Sequence, residues 1–230
     1  MLFRSQPDFP TPKNIQQAGI NAITQGKHGY TPSAGIPELR QAAAAYLART
    51  RGIHVDADDV VVGAGAKPFI GYTIQSVTDF GAGDEVIYPV PGFPIYESQI
   101  KANGAVGVPI YLREDRNFSF DPQELADKIT PRTKLLILNS PQNPTGGILT
   151  KADLQAIADI LHKHPQVWVF ADEIYGQLVY DGEFNSIAAL PGMQERTILS
   201  DGCSKTWAMT GWRLGFCANK KLAPYFTNWI

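Results

Sequence analysis

The chain has 230 residues, of which 44% are hydrophobic and 18% charged, and its formal net charge is −2 at pH 7. This composition is typical of a folded protein with a sizeable core, and it excludes an intrinsically disordered chain. The slightly acidic balance argues against a dedicated nucleic-acid-binding protein, and no apolar run approaches the roughly 20 residues that a membrane span needs.

The N-terminal residues 1–14 are rich in proline, and they predict an extended arm. The start of the chain is too short and too polar for a secretory signal, and two cysteines make no disulfide framework, so we expect a cytoplasmic setting. Helical periodicity follows over Ile15–Gln25 and again over Pro37–Arg51. Proline suits a first helical turn, and Gly52 suits the C-terminal end of that second helix.

After Gly52, short β-rich runs alternate with helical stretches. This alternation predicts an α/β fold, a three-layer α/β/α sandwich with a mostly parallel sheet. Nothing marks an internal boundary, so we predict one large domain over residues 15–230. The predicted strands are Val60–Val62, Glu85–Tyr88, Val106–Leu112, Leu135–Leu138, Val167–Phe170 and Thr197–Leu199, and the predicted helices between them are Pro68–Asp79, Ile95–Ala102, Pro122–Ile129 and Lys151–His162.

Ligands of parallel α/β sheets gather at the carboxyl ends of the strands, so the residues that follow each strand are the candidates for chemistry. The first strand is followed by Gly65, Ala66 and Lys67 at the start of a helix. Small residues there leave backbone N–H groups free for a phosphate, although an ordinary tight turn has the same composition. Pro68 stands where a dinucleotide-binding motif needs glycine, so a single phosphate group is the better prediction.

Three later strands are followed by further candidates. Phe93 and Tyr96 follow the second strand, and each is either a core residue or a stacking partner for a flat ring. Asn143 lies in an Asn-Pro-Thr-Gly turn, where it is either a functional amide or a turn former. Asp172 emerges from an apolar strand, which is costly unless the carboxylate meets a cation, whereas Glu173 better fits a capping or turn acid.

The stretch Thr197–Ala218 contains a small-residue loop with Lys205 and, eight residues later, Arg213. Most lysines are solvated surface residues. A desolvated lysine, however, has a lowered pKa and becomes a nucleophilic amine. The position of Lys205 between Ser204 and Thr206 on a tight loop favours desolvation.

The same stretch reads Ser-Lys-x-x-x-Met-Thr-Gly-Trp-Arg-x-Gly, formed by Ser204, Lys205, Met209, Thr210, Gly211, Trp212, Arg213 and Gly215. It resembles the lysine motif of the class I/II aminotransferases, pyridoxal-phosphate enzymes of fold type I in the aspartate aminotransferase superfamily. The resemblance extends over residues 6–230 and includes the Pro-Asp-Phe segment, Pro7–Phe9.

The resemblance implies a role in cofactor binding or catalysis for each candidate residue. Lys205 would carry the pyridoxal 5′-phosphate covalently and later act as the general base, while Asp172 would hold the pyridine nitrogen protonated. Asn143 and Tyr175 would bind the ring hydroxyl, and Phe93 would stack on the ring. The phosphate would be bound by the backbone at Gly65, Ala66 and Lys67 and by the side chains of Ser204 and Arg213.

Tyr30, in a Gly-Tyr loop, resembles the tyrosine that reaches the phosphate of the neighbouring subunit, which implies a homodimer. Gly202 departs from the family pattern, because many relatives have Ser or Thr there. The family's C-terminal small domain, with the arginine that binds the substrate α-carboxylate, is not part of this sequence, so we expect a large-domain fragment. Its aromatic ending, residues 224–230, is expected to pack against something further along the chain.

The implied reaction is transamination between an L-amino acid and a 2-oxo acid, with no metal. Two alternatives stay open. A C–S lyase or related elimination enzyme would use the same cofactor contacts. An amino-acid-sensing module of a transcription regulator would bind the ligand on this fold without turning it over.

Overall fold

A computed structural model describes residues 5–230, and among these residues no helix has both the length and the apolar character needed to cross a membrane. They form a seven-stranded sheet with the strand order β1-β7-β6-β5-β4-β2-β3. The strands are β1 Val60–Ala64, β2 Glu85–Val90, β3 Val106–Tyr111, β4 Thr133–Asn139, β5 Trp168–Asp172, β6 Thr197–Gly202 and β7 Leu214–Ala218. The helices are α1 Lys13–Thr24, α2 Pro37–Arg51, α3 Pro68–Val77, α4 Ile95–Ala102, α5 Pro122–Lys128, α6 Lys151–Leu161, α7 Cys203–Thr206 and α8 Ala223–Trp229.

The predicted mostly parallel sheet is confirmed. Strands β2 to β6 run parallel to one another, and each of the six predicted runs lies within or overlaps a strand. The last strand, β7, is antiparallel to both β1 and β6 and joins them into one sheet. Residues 203–213 connect β6 to β7 and contain the single helical turn α7. This connection is shorter than the dozen or more residues that a parallel crossover needs, so the chain returns antiparallel beside β6.

Both faces of the sheet are covered, as the predicted three-layer sandwich requires. Val169 and Ala171 of β5 point into a core shared with α2 and α6, whereas Phe170 points into a second core shared with α3, α4 and α8. Successive side chains of a strand face opposite sides, so Asp172 follows Phe170 to the α3 and α4 side. The next residue, Glu173, points back toward α2.

The lysine segment differs from its prediction as a loop. Lys205 lies on α7, a single helical turn that begins directly after β6. The prediction of a loop was wrong because Ser and Thr beside the lysine were taken as loop formers, while the hydrogen bond from the Trp207 amide to the Cys203 carbonyl closes a helical turn there. The short helix directs Lys205 back across the carboxyl end of the sheet.

Candidate active site

One cavity of about 220 Å³ opens at the carboxyl edge of the sheet, where β5 and β6 end. Nine of the sequence-predicted residues line it: Ala66, Lys67, Phe93, Asn143, Asp172, Tyr175, Ser204, Lys205 and Arg213. Ser5, Ile70, Tyr96, Asn139, Ile174 and Thr210 complete its wall. The fold therefore brings the ends of five strands, β1, β2, β4, β5 and β6, to one small space.

Lys205 is half-buried and extends over the ring of Tyr175, with Nζ 5.7 Å from the ring centroid. Burial lowers the pKa of Lys205, the positive charge of Arg213 lowers it further, and the carboxylate of Asp172 acts in the opposite direction. Nζ donates hydrogen bonds to the Ser5 carbonyl at 2.5 Å and to Ser5 Oγ at 3.1 Å. A lysine with a lowered pKa is a better nucleophile and proton acceptor at neutral pH.

Asp172 is buried in the wall of the same cavity, and burial raises its pKa to about 6. The Tyr96 hydroxyl donates a hydrogen bond to Asp172 Oδ2 over 2.7 Å, which favours the ionised form. A carboxylate in such a position gains most from a cationic partner. Its backbone is fixed as well, because Asn139 Nδ2 donates to the Asp172 carbonyl at 2.9 Å.

Asn139 also holds the turn that carries Asn143, since its Oδ1 accepts a hydrogen bond from the Asn143 amide at 2.9 Å. Tyr175 stands on the same side of the cavity. Burial raises the pKa of Tyr175, while hydrogen bonding to Ser5 and Asn143 opposes the rise. Two neutral hydrogen-bonding side chains, an amide and a phenol, therefore meet at this wall.

Arg213 approaches the backbone of the β1–α3 turn at the other end of the cavity. Its Nη1 donates to the Thr210 carbonyl at 2.9 Å and Nη2 donates to the Ala64 carbonyl at 3.2 Å. This approach requires glycine at position 65, because a Cβ built there would lie 2.2 Å from Arg213 Nη2 and the residue has φ of +90°. The guanidinium and the start of α3 thus form a site suited to an anion.

Close packing between Gly202 and Gly215 explains why this chain departs from the family pattern of Ser or Thr at position 202. A Cβ built on Gly202 would lie 2.8 Å from the Gly215 Cα on the neighbouring strand. Gly215 is itself pressed against the turn, since its Cβ would lie 2.2 Å from the Ala66 amide nitrogen. In this chain a Ser or Thr at position 202 would therefore push β6 away from β7 and disturb the anion site.

Two predicted residues do not line the cavity. Tyr30 is fully exposed on the surface, and Gly65 is buried behind Arg213, where it provides space rather than a contact. The interpretation of Glu173 as a capping or turn acid was wrong. Glu173 is buried, and its Oε2 accepts a hydrogen bond from Arg51 Nε at 2.9 Å. It points away from the cavity because it follows Asp172 in the strand alternation.

Ser5, Tyr96 and Asn139 belong to the site, yet the sequence did not single them out for these contacts. Tyr96 was left open between core and stacking, and the core alternative is confirmed: its ring is buried in the core, with the Phe93 ring edge to face at 5.9 Å. Asn139 ends a buried strand, and a polar side chain at such a position is the signal that would have indicated it. Ser5 has no such signal, since it lies in the irregular arm.

An amine, a buried carboxylate and an arginine around one small cavity are typical of enzymes that hold a cofactor at the carboxyl ends of parallel strands. The sequence specifies the family: residues 2–226 match Aminotransferase class I and II, and the chain belongs to that family. Members of this family are generally dependent on pyridoxal phosphate.

Among curated proteins, a probable aspartate/prephenate aminotransferase of Rhizobium leguminosarum bv. phaseoli is 39% identical over 220 residues, which are 94% of this chain and 54% of that protein. Two solved structures share the fold. The aspartate aminotransferase from Rhizobium meliloti has a TM-score of 0.94 at 35% identity, covering 99% of this chain and 57% of its own. The aromatic aminotransferase from Pyrococcus horikoshii OT3 has a TM-score of 0.94 at 38% identity, covering 98% and 60%. This chain thus spans about half the length of the curated relatives it matches.

The donor set of the cavity fits the three chemical parts of pyridoxal phosphate. Arg213 and the glycine-spaced turn at Gly65 suit a phosphate, and a buried acid, Asp172, suits a protonated ring nitrogen. Lys205 offers a partly desolvated amine to a carbonyl group between them.

Proposed function

We propose that the chain is the cofactor-binding part of a pyridoxal-phosphate-dependent aminotransferase that transfers an amino group between an L-amino acid and a 2-oxo acid. The observation that carries the proposal is that Lys205, Asp172 and Arg213 line one cavity. The names of the relatives, which include aspartate/prephenate and aromatic aminotransferases, support the reaction class. Because those names differ in substrate, the proposal is made for the class of amino acids only.

When bound, pyridoxal phosphate supplies a protonated aromatic ring that delocalises the electron pair left on Cα after its proton is removed. Asp172 keeps a proton on the ring nitrogen, since the buried carboxylate is stabilised by a cation at its open side. Phe93 would pack against the ring, and Asn143 and Tyr175 would form hydrogen bonds with the ring hydroxyl. Arg213, Ser204 and the amides of Ala66 and Lys67 hold the phosphate.

Lys205 has two tasks in this proposal. Its amine would hold the cofactor, and Nζ would accept the proton removed from the substrate Cα. The lowered pKa of Lys205 supports both tasks, because a larger share of the amine is unprotonated at neutral pH. Nζ donates to the Ser5 carbonyl, and both residues line the cavity, which supports an amine directed into the site.

We also propose that the predicted arm, residues 1–14, and the large domain, residues 15–230, belong to a homodimer. Residues 1–4 of the predicted arm lie outside the described residues, and Lys13 and Asn14 are the first residues of α1. The arm lies along the lysine segment, with Thr11 Oγ1 donating to the Ala208 carbonyl at 2.7 Å. Every residue of α1 keeps part of its surface exposed, and Ile20 and Ile23 are 55% and 76% exposed. An apolar helix face of this kind supports an interface with a second copy, which would bring Tyr30 to the neighbouring phosphate. A cytoplasmic location stays a prediction.

The test uses the purified chain with pyridoxal phosphate. We expect a visible absorbance band that is absent in Lys205→Ala, and transfer of the amino group from an added amino acid to an added 2-oxo acid. A C–S lyase would instead release pyruvate and ammonia from a cysteine thioether without any acceptor acid. A sensing module would bind the amino acid and leave the band unchanged. Absence of the Lys205-dependent band would refute the proposal altogether.

A further inference from the structure

A buried ionic cluster lies under the cavity, on the α2 side of the sheet. Arg51, the last residue of α2, donates from Nε to Glu173 Oε2 at 2.9 Å and from Nη2 to Asp201 Oδ2 at 2.6 Å. The side chain of Arg51 is 0% exposed, and those of Glu173 and Asp201 are 6% and 2% exposed. No step of the proposed reaction uses these three groups.

The cluster is placed directly behind the two residues that carry the proposed chemistry. Glu173 follows Asp172 in the chain, and Asp201 precedes Lys205 by four residues. Asp172 faces the α3 and α4 side, where it meets Tyr96, while Glu173 and Asp201 face α2. One guanidinium therefore joins the end of β5 to the end of β6 from the side opposite the cavity.

The remaining polar atoms of the cluster are fixed too. Ser186 Oγ donates to Glu173 Oε1 at 2.6 Å, and the Gly202 amide donates to Asp201 Oδ1 at 2.6 Å. All four carboxylate oxygens thus have a donor, as two buried carboxylates require. The guanidinium of Arg51 has both of its carboxylate contacts in one rigid fork, a geometry that lysine lacks.

An aromatic contact extends the cluster to the lysine helix. The guanidinium carbon of Arg51 lies 5.3 Å from the ring centroid of Tyr46, and the Tyr46 ring lies 5.3 Å from that of Trp207. Trp207 directly follows α7, the helical turn that carries Lys205. Movement of the Arg51 side chain would therefore displace three segments: the turn after Asp172, the end of β6, and the end of α7.

We infer that Arg51 is a positioning residue, which sets the separation of Asp172 and Lys205 by tying Glu173 to Asp201. The inference rests on the proposed cofactor role of Asp172 and Lys205. A buried ion pair often adds little net stability over an apolar replacement of the same size, whereas it does restrict the arrangement of the groups it joins. We therefore expect variants of the cluster in which the thermal stability of the chain is recovered while the placement of Asp172 and Lys205 is still disturbed.

The experiment compares four variants by thermal unfolding and by titration with pyridoxal phosphate well below each melting temperature. Arg51→Met leaves two buried carboxylates without a cation, while Arg51→Met/Glu173→Gln/Asp201→Asn removes every charge of the cluster at nearly constant size. Arg51→Lys keeps the charge and lacks the fork. Arg49→Met is the matched control, because Arg49 is an exposed residue of the same helix.

We expect the triple variant to recover most of the melting temperature that Arg51→Met loses, while its Kd for pyridoxal phosphate stays raised by about tenfold, the equivalent of one well-placed contact. Arg51→Lys should have near-normal stability and an intermediate Kd, and Arg49→Met should match the wild type. A triple variant with the wild-type Kd would overturn the inference, as would Arg51→Met with the wild-type Kd. If Arg51→Met does not fold, the triple variant alone decides. A wild type that binds no pyridoxal phosphate would instead refute the proposed function, and this inference with it.

Discussion

Tyr96 donates its hydroxyl hydrogen bond to Asp172 over 2.7 Å, and both side chains are buried. The phenol therefore belongs to the cavity wall although its ring is part of the core under β2 and β4. It is the one side-chain donor that the described residues offer to the Asp172 carboxylate. The strength with which Asp172 holds a cation consequently depends on Tyr96.

Tyr96→Phe removes this donor and keeps the ring. Loss of the hydrogen bond raises the pKa of Asp172 above its present value of about 6, so a larger fraction of the carboxyl is protonated at pH 7. We expect the affinity for pyridoxal phosphate to fall about tenfold at pH 7, the usual size of a lost hydrogen bond to a charged group. The loss should shrink at pH 8.5, where the carboxyl is ionised again. Tyr72→Phe, a change to a partly exposed tyrosine of α3, is the control, and equal affinity in both variants would contradict the prediction.

Asp172→Asn should stabilise the cofactor-free chain at high pH. Burial raises the pKa of Asp172 to about 6 from an unfolded value near 4, so the folded chain holds a proton that the unfolded chain has released between about pH 4 and 6. Stability from this group is present below that window and is lost as the pH rises through it. We expect Asp172→Asn to be more stable than the wild type at pH 8, by at most about 3 kcal/mol, and equal to it near pH 4.

Urea unfolding between pH 4 and 8 measures this difference. Asp115→Asn changes an exposed aspartate in the same way and should leave the pH profile unchanged. The same Asp172→Asn chain should bind pyridoxal phosphate more weakly than the wild type, because the neutral amide cannot hold a proton on the ring nitrogen. If Asp172→Asn is less stable than the wild type at pH 8, the Asp172 carboxylate gains more from its partners in the cofactor-free chain than it loses by burial, and the prediction is wrong.

Arg213→Gln should raise the pKa of Lys205, because the positive charge of Arg213 is the second cause of its lowering after burial. The readout is the pH dependence of the rate at which Lys205 reacts with pyridoxal, which lacks the phosphate that Arg213 is proposed to bind. The midpoint of that profile should move to higher pH in Arg213→Gln and remain near the wild-type value in Arg213→Lys. Identical shifts in the two variants would exclude charge as the cause.

Gly65→Ala should disable the anion site and leave the rest of the cavity intact. The new Cβ would lie 2.2 Å from Arg213 Nη2, and φ of +90° strains any residue with a side chain. Displacing Arg213 costs a charge-assisted contact, so we expect affinity for pyridoxal phosphate to fall about tenfold or more, with little change for pyridoxal. Gly211→Ala is the control, since a Cβ at Gly211 meets open space. If Gly65→Ala lowers the affinities for pyridoxal phosphate and pyridoxal equally, the substitution acts outside the anion site and the prediction is wrong.

Much of this architecture could be predicted from the sequence because the local patterns agree with the global fold. Strand β5 is a continuous apolar run that ends in an acid, and that pattern alone indicated that Asp172 would lie at the carboxyl edge of a buried parallel strand. Lys205 and Arg213 lie in one short stretch, so their proximity required little knowledge of tertiary structure. The prediction of a loop around Lys205 was still wrong, because a helix of a single turn is too short to be recognised from residue preferences.

The contacts that could not be predicted are those set by tertiary packing. An arginine at the end of a helix ordinarily points to solvent, where it favours the helix dipole, and nothing local to Arg51 indicated two buried carboxylate partners. Glu173 was misinterpreted for the same reason, since its cation comes from a helix 122 residues earlier. The role of Tyr96 was ambiguous in the sequence because its ring belongs to the core while its hydroxyl contacts Asp172. Each of these residues acts through a partner that is distant in sequence.

The apolar face of α1 provides the last prediction. Ile20 and Ile23 are exposed on this helix, and the exposed ring of Trp212 packs against Gly19, so a Cβ there would lie 2.8 Å from the ring. We expect the chain to be a dimer in solution and Ile20→Glu/Ile23→Glu to be a monomer, because two charges per copy would face each other across a symmetric interface. Light scattering after gel filtration measures the mass. Phe80→Glu, which changes another exposed apolar residue, should stay dimeric. Tyr30 is proposed to reach the neighbouring phosphate, so the monomeric variant should also bind pyridoxal phosphate more weakly. Its affinity for pyridoxal, which has no phosphate, should be retained. A monomeric wild type would refute both the interface and the role of Tyr30.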